Sequence, residues 1–435
     1  MTWAADEVPQ NESLQPVPNA APGAGTTGEV GALQPSDSTE SMAHEEECSA
    51  CDLAVCSPQG RFWLRTDALM WWTNGTRLPA LVTSNSSGNP PIIGQTGTQT
   101  VFGDGTYMAD GRGGVRMTLG GWLDRCHRWG VEADWFTLAG HSIDYSNFSN
   151  GDPATGRPFF DVSTGAQNAE IVADGSISGF VGITGGDAFD SAGVLVRYNL
   201  CSFEGCDPCG GCGVESGDGC GVGCEISPCF LNYCRTDFLF GFRHYGLNDR
   251  VTIHESLDDR TPGVMQHSEI YDNFHTSNNF NGAELGLMTE VRRGRWSFNI
   301  LTKMALGMNH QLTDIYGTTA FTDLNGVLPP ANYPVGIFAG PSNNGSYAQD
   351  SFVVIPQLGF ELGYQVTTCT RAYLGYNVLY WGNVMRAADQ IDLNVDPRNW
   401  AQAPVTTGAL PFPQYPNRNG NFWAQGINLG LEVRF

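Results

Sequence analysis

The closing stretch Trp423-Ala424-Gln425-Gly426-Ile427-Asn428-Leu429-Gly430-Leu431-Glu432-Val433-Arg434-Phe435 puts Ile427, Leu429, Leu431, Val433 and Phe435 on one face of an extended chain. Asn428, Glu432 and Arg434 fall on the other. Successive side chains of a strand point to opposite faces, so this segment is apolar on one side, charged on the other and closed by an aromatic ring. Such a strand suits the end of an outer-membrane barrel, with Phe435 as the signal read by barrel-assembly machinery. It also suits the half-buried edge of a soluble sandwich. The rest of the chain decides between them.

The period-two pattern recurs from Arg61 onward. It predicts ten strands at about 62–72, 113–123, 129–139, 191–200, 235–246, 279–292, 295–309, 357–366, 371–382 and 422–435, most of them near the ~9–11 residues of a tilted membrane strand. The gaps alternate. The first, third, fifth, seventh and ninth are long, about 40, 51, 32, 47 and 39 residues, whereas Asp124–Arg128, Arg292–Gly294 and Thr367–Thr370 are short turns. Only the fourth gap, 201–234, breaks the rhythm. Long loops on one side and short turns on the other are the plan of an all-β, up-and-down transmembrane barrel, and a sandwich has no reason to sort loop length by parity. A twelve-strand alternative arises if Ile177–Thr184 and a partner also cross. Pro356 lacks a ladder donor, so the eighth strand is expected to start after it.

Composition agrees with this reading. Charged residues make up 15% of the 435 residues, against about 25% in soluble domains. The net charge of -23 argues against nucleic acid or anionic headgroups as partners. No apolar run approaches the roughly 18 residues of a membrane helix, so any crossing is made by strands. Residues 1–60 hold ten acids and no Lys or Arg. Their low apolar content predicts an acidic disordered tail, with the barrel over 61–435. The first residues have neither a basic start nor an apolar core, so the natural start is expected upstream, or a leader omitted.

Side-chain parity sorts the strands into a lipid face and a lumen. Phe62, Leu64, Ala68 and Met70 point out, and so do Val131, Ala133 and Trp135, Phe238, Phe240 and Phe242, and Leu358, Phe360 and Leu362. The inward charges are Arg65, Arg116, Arg197, Arg235, Arg243, Lys303, Arg371 and Arg434 against Asp67, Glu132, Asp134, Asp237, Glu284, Glu290, Glu361 and Glu432. Balanced charges can pair across a barrel of eight to ten strands, whose interior side chains largely fill, so a wide diffusion pore is not expected. Aromatics at strand ends suggest two interfacial girdles: Trp71, Trp72, Tyr380, Trp381, Phe422 and Trp423 on one side, Trp122, Trp129, Trp296 and Phe435 on the other. Ordinary core packing is the alternative.

With both termini in the periplasm, all thirteen cysteines fall on that side. The compartment is oxidising, so disulfides are expected within the Cys-rich insert: Cys201, Cys206, Cys209, Cys212, Cys220, Cys224, Cys229 and Cys234. Metal is the rival, but the Cys206-x2-Cys209-x2-Cys212 spacing lacks a following Cys-Pro and the paired arrangement of a zinc ribbon. The odd total leaves a thiol for a cross-link to an envelope partner. The segment 248–278 gathers His254, Glu255, Asp258, Asp259, His267, Asp272 and His275. On an outer loop these could bind a cation or serve a hydrolase like the ten-stranded outer-membrane proteases, yet the spacing matches no known motif. Solvated loop histidines are the plainer reading, with no enzyme, cofactor or metal implied.

Several segments resemble the putative beta-barrel porin family 7, found chiefly in planctomycete bacteria. They are Phe62–Trp72, Gly120–Leu123, Gly130–Phe136, Phe240–Arg243, Phe280–Gly286 and Gly375–Trp381. The likeness covers roughly 60–435 and implies an outer-membrane barrel without assigning a solute or a catalytic residue. The expectation is therefore a structural or narrow-pore barrel in outer-membrane lipid, with acidic outer loops that favour cations. The alternative is a surface-binding or envelope-scaffold protein cross-linked through its Cys insert. An outer-loop hydrolase comes third.

Overall fold

The computed structural model describes residues 60–125, 127–205, 232–401 and 408–435. The acidic tail, Cys126 and six cysteines of the insert (Cys206, Cys209, Cys212, Cys220, Cys224 and Cys229) lie outside the described residues. Ten long strands dominate: β1 (Phe62–Thr73), β2 (Arg112–Trp122), β3 (Trp129–Ser149), β4 (Ile177–Gly205), β5 (Asn232–Asp259), β6 (Gln266–Arg293), β7 (Trp296–Asp323), β8 (Gly345–Gln365), β9 (Thr370–Met385) and β10 (Asn419–Arg434). Each pairs antiparallel with the next, from β1–β2 through β9–β10. β1 also pairs with β10, as in Ala68 opposite Leu429, so the pairing returns to its start as a ring.

These strands sit where the period-two pattern places them, but several are far longer. β5, β6 and β7 each run 28 residues, roughly 90 Å of chain at ~3.3 Å per residue. The expected long loop 248–278 is instead a hairpin of β5 and β6 with a tip at 260–265. The cause is an inversion of polarity along the strands. Near the short turns Phe298, Ile300 and Met304 point outward and are exposed, while Asn299 and Lys303 point inward. Further along, Val251, Ile253, Ile270, Phe274 and Ile315 are buried on the inner face. There Arg250, Asn273 and Asp314 face out. A search for apolar-out alternation stops at that boundary, between Phe242 and His244 on β5 and between Met308 and His310 on β7.

Two other expectations are corrected. Ile177–Thr184 is no separate crossing; it is the start of β4, continuous with 191–200 apart from a bulge between Asp187 and Phe189. Pro356 lies inside β8, opposite Met304 of β7. Pairing of β8 with β9 begins only at Gln357, so the missing proline N–H falls where that edge has no partner.

The long connections fold into a cap on the inner face of the extended strands. Val82–Asn85 pairs with Thr98–Phe102 and with Ala154–Asp161, which in turn pairs with Ala166–Ala173 and, in parallel, with Asn394–Val395. Leu78, Leu81, Val82, Phe159, Val172, Ile337, Phe338 and Ile391 meet the inner faces of β3 to β7 in one apolar core. Arg157 stands in that core with its guanidinium between two carboxylates. It lies 3.1 Å from Glu255 and in contact with Asp272, all three fully buried, and stacks 4.5 Å over the Phe338 ring. Asp272 also accepts the backbone N–H groups of Phe338 (3.0 Å) and Ala339 (2.7 Å). Gly336 lets this loop come close, since a Cβ there would lie 2.1 Å from Asp272 Oδ1. Burial pushes the Glu255 carboxyl up from its ordinary value despite Arg157, which it shares with Asp272.

The two carboxylates should therefore differ. Asp272→Ala removes one of the two carboxylates on the buried guanidinium and strands two N–H groups, and is expected to destabilise the cap by about 3–5 kcal/mol. Glu255→Gln should cost much less at neutral pH. A raised folded-state carboxyl contributes stability that is present at acid pH and lost as pH rises, so this variant should also flatten the pH dependence above the ordinary glutamate range. Melting followed by limited proteolysis of 324–344 would read both; equal losses would contradict the assignment.

Candidate functional site: the charged interior and its seal

All sixteen sequence-derived charges lie on the inward parity of their strands. Nearest the short turns, Arg371 joins Glu290 (3.2 Å) and Glu432 (2.6 Å). Arg434 contacts Glu432 and lies 3.8 Å from Glu290. Across the ring Arg197 joins Glu132 (3.2 Å) and Asp237 (2.7 Å), and Arg235 reaches the same Asp237 at 2.8 Å. Arg235 also lies flat over Trp122, 4.1 Å from its centroid. One level higher, Arg243 binds Asp134 through both terminal nitrogens at 2.7 Å and Glu284 at 2.7 Å. Lys303 stands 3.6 Å from Glu284, and Arg65 meets Glu361 at 2.5 Å. Arg116 lies 5.3 Å from each of the Trp71 and Phe136 rings. Asp67 is buried nearby with both oxygens lacking a hydrogen-bond partner among the described residues.

The strands explain why these groups meet. Cross-strand neighbours lie ~5 Å apart and diagonal ones ~7–8 Å, within reach of arginine. Arg243 is opposite Gly193 of β4 and Gly282 of β6. The space above Gly193 is filled by the guanidinium itself, 2.6 Å from where a Cβ would stand. Across the charged level a cavity of about 50 Å³ remains, room for a few water molecules.

Above the charges lies a layer that sequence reading assigned differently. Trp71, Trp381 and Phe422, expected in an interfacial girdle, are each 0% exposed. With Phe136, Phe189, Tyr245 and Phe280 they form one aromatic cluster across the interior. Phe189 touches Tyr245, Trp381 and Phe422 with centroids 6.1, 6.4 and 4.7 Å away. Trp122 is buried as well. Their strand parity could have shown this: Trp71 shares a face with Arg65 and Asp67, Trp381 with Arg371, Phe422 with Glu432 and Trp122 with Arg116. Trp72, Tyr380, Trp129, Trp296 and Phe435 do point outward and are exposed.

A second ionic layer, absent from the sequence-derived set, joins the cap to the ring. Arg112 pairs with Asp187 at 2.7 Å. Arg386, from the connection before β10, pairs with Asp249 at 2.8 Å and lies 3.6 Å from Asp187. The histidine-acid set of 248–278 divides between the two faces of the hairpin, and on the outer face His254 and His267 both meet Glu269. Glu255 and Asp272 face inward on Arg157, whereas His254, Asp258, His267 and His275 face outward. His267 bridges Asp258 (2.7 Å) and Glu269 (3.1 Å), which raise its pKa. Among the described residues no group of three or more His, Cys, Asp or Glu is arranged to hold a metal ion. Cys201 and Cys234 form no disulfide among the described residues and sit with Cys369 at the short-turn end.

A ring of antiparallel strands, apolar outside and charged inside, defines a porin-like β-barrel of the outer-membrane type. The chain belongs to the Putative beta barrel porin-7 family, whose model matches residues 63–435. Among solved structures it is similar to the outer membrane protease OmpT from Escherichia coli (8% identity, TM-score 0.35, 88% of this chain and 100% of that chain). It is also similar to the P. putida toluene transporter TodX (11%, 0.20, 87% and 91%) and to a Pseudomonas aeruginosa FadL homologue (8%, 0.21, 86% and 90%). No curated protein matches by sequence.

Removing one member of the interior network should cost more than removing all. Arg243→Ala leaves Asp134 and Glu284 without their main partner and is expected to lose about 3–5 kcal/mol, whereas Arg243→Met with Asp134→Leu, Glu284→Met and Lys303→Met, which also removes the lysine paired with Glu284, should recover most of it. Urea unfolding of the detergent-folded protein measures both; a single variant as stable as the wild type would contradict the geometry.

Proposed function

We propose that the protein is a ten-stranded transmembrane barrel of the outer membrane with a sealed interior, serving as a structural anchor for the folded cap rather than as a diffusion pore. The short turns and Phe435 face the periplasm, together with the ends of β4 and β5 that flank the Cys-rich insert in sequence, and the cap stands outside. The carrying observation is the succession of side-chain layers across the interior: paired charges, then the aromatic cluster, then the Arg112–Asp187–Asp249–Arg386 layer, then the cap core. The exposed band from Phe62 to Trp72 spans about 33 Å of strand at ~3.3 Å per residue, which tilts to the ~25 Å band of such barrels. No catalytic role is read, since the outward histidines and inward carboxylates face different surroundings. The insert would offer cysteines for linkage to an envelope partner, which multimers on a non-reducing gel would reveal.

In planar bilayers the wild type is expected to give no stable conductance steps, and Trp71→Ala with Trp381→Ala and Phe422→Ala to raise leak events. Steady cation-selective current through the wild type, measured as a reversal potential in a salt gradient, would replace the sealed anchor with a narrow pore. Leu429, 63% exposed in the middle of the band, tests the membrane assignment: Leu429→Arg should cost about 2–4 kcal/mol in vesicle refolding. Thr318→Arg, on the outer face of the projecting part, should stay within about 0.5 kcal/mol. Equal costs would remove the lipid boundary.

A further inference from the structure

The outer wall of β5 to β7 above the apolar band, with Asn344 and Gly345 at its edge, carries a groove of about 780 Å³, within the ~300–1,000 Å³ usual for small-molecule sites. Its polar lining comes from two cross-strand rows. Arg250 of β5, His275 of β6 and Asp314 of β7 lie side by side; Thr252, Asn273 and Tyr316 form the next row. Tyr316 is 55% exposed, so one ring face is open. Thr252 donates its hydroxyl to Asn273 Oδ1 at 2.9 Å. His275 Nδ1 lies 3.6 Å from Asp314 Oδ2, leaving Nε2 for another partner. Arg250 makes no ion pair among the described residues.

Outward-facing rings continue on the neighbouring strands, with Tyr271 of β6 placed diagonally from Tyr316. Tyr271 stacks on His254 with centroids 4.2 Å apart and planes 4° from parallel. Phe180 of β4 lies 5.6 Å beyond His254. Gly182 makes room for it: a Cβ there would meet the Phe180 ring at 2.9 Å. Four strands at ~4.8 Å spacing give these rings a span of roughly 15 Å.

The geometry points to a saccharide-binding site on this wall. The C–H faces of sugar rings pack on exposed aromatic faces, whereas planar amide, carboxylate, imidazole and guanidinium groups take paired hydroxyls. A strip of rings beside Arg250, Asn273 and the His275–Asp314 pair supplies both for a short oligosaccharide. The surface is neither an apolar docking face nor a one-sign charge patch, because donors and acceptors alternate along both rows. The site does not depend on whether the interior conducts.

The test uses the folded full chain in a polyoxyethylene detergent, since sugar-headed detergents would compete, on an array of defined neutral and uronic-acid oligosaccharides. The wild type should bind a subset of them. Tyr316→Ala and Arg250→Ala should each weaken binding at least about tenfold, Tyr316→Phe should keep it within about threefold, and Trp129→Ala, an exposed aromatic at the short-turn end, should leave it unchanged. Heat-modifiability and cap proteolysis confirm that each variant is folded. An array with no bound glycan, or full affinity in folded Tyr316→Ala, overturns the proposal.

Discussion

A backbone standing in hydrocarbon can leave no N–H or C=O unpaired, and the pairing of β1 with β10 removes the last open edge of the sheet. The rest of the molecule follows from that contact. It fixes which parity faces inward on every strand, so the same register that turns Leu429 and Leu431 outward turns Asn428 and Glu432 inward. It also sets the width of the interior, narrow enough for arginines from one wall to reach carboxylates several strands away.

That width gives the inward charges their character. Arg371, Arg243 and Arg197 each serve two carboxylates from different strands. Buried ion pairs contribute little net stability compared with apolar packing, but they penalise any register in which a partner is missing. One-residue slippage of a strand would carry its charges to the lipid face and its apolar side chains into the ionic layer. The network therefore acts on specificity of pairing as much as on stability, and the aromatic cluster is packed above it.

Beyond the apolar band the strands keep their pairing while their two faces exchange character. The inner face becomes a soluble-protein core against the cap, and the outer face becomes a polar wall. Arg157, Asp249, Asp272 and Arg386 tie the connections to that core with buried charge, so segments such as 154–161 and 386–395 are held against it rather than left as tethers. The wall they support carries the aligned rows of Arg250 and Tyr316.

Alternation of side chains along 62–72, 129–139 and 422–435, together with the parity of gap lengths, was enough by itself to determine an all-β antiparallel sheet with an apolar and a charged face, and to predict ten or twelve strands with Arg65, Glu132, Arg243 and Glu432 on the inner parity, because period two is a local property. Three things were decided only by tertiary structure. The length of β5 to β8 depends on an apolar cap covering their inner faces, and nothing within Val251-Thr252-Ile253 says which face will be covered. The aromatic seal depends on Trp71, Trp381 and Phe422 arriving at one height from three strands, which is a matter of stagger between strands. The fate of His254, Glu255 and Asp272, adjacent in sequence reading but split between wall and core, was set by Arg157, brought against them from a connection about 100 residues away in the chain.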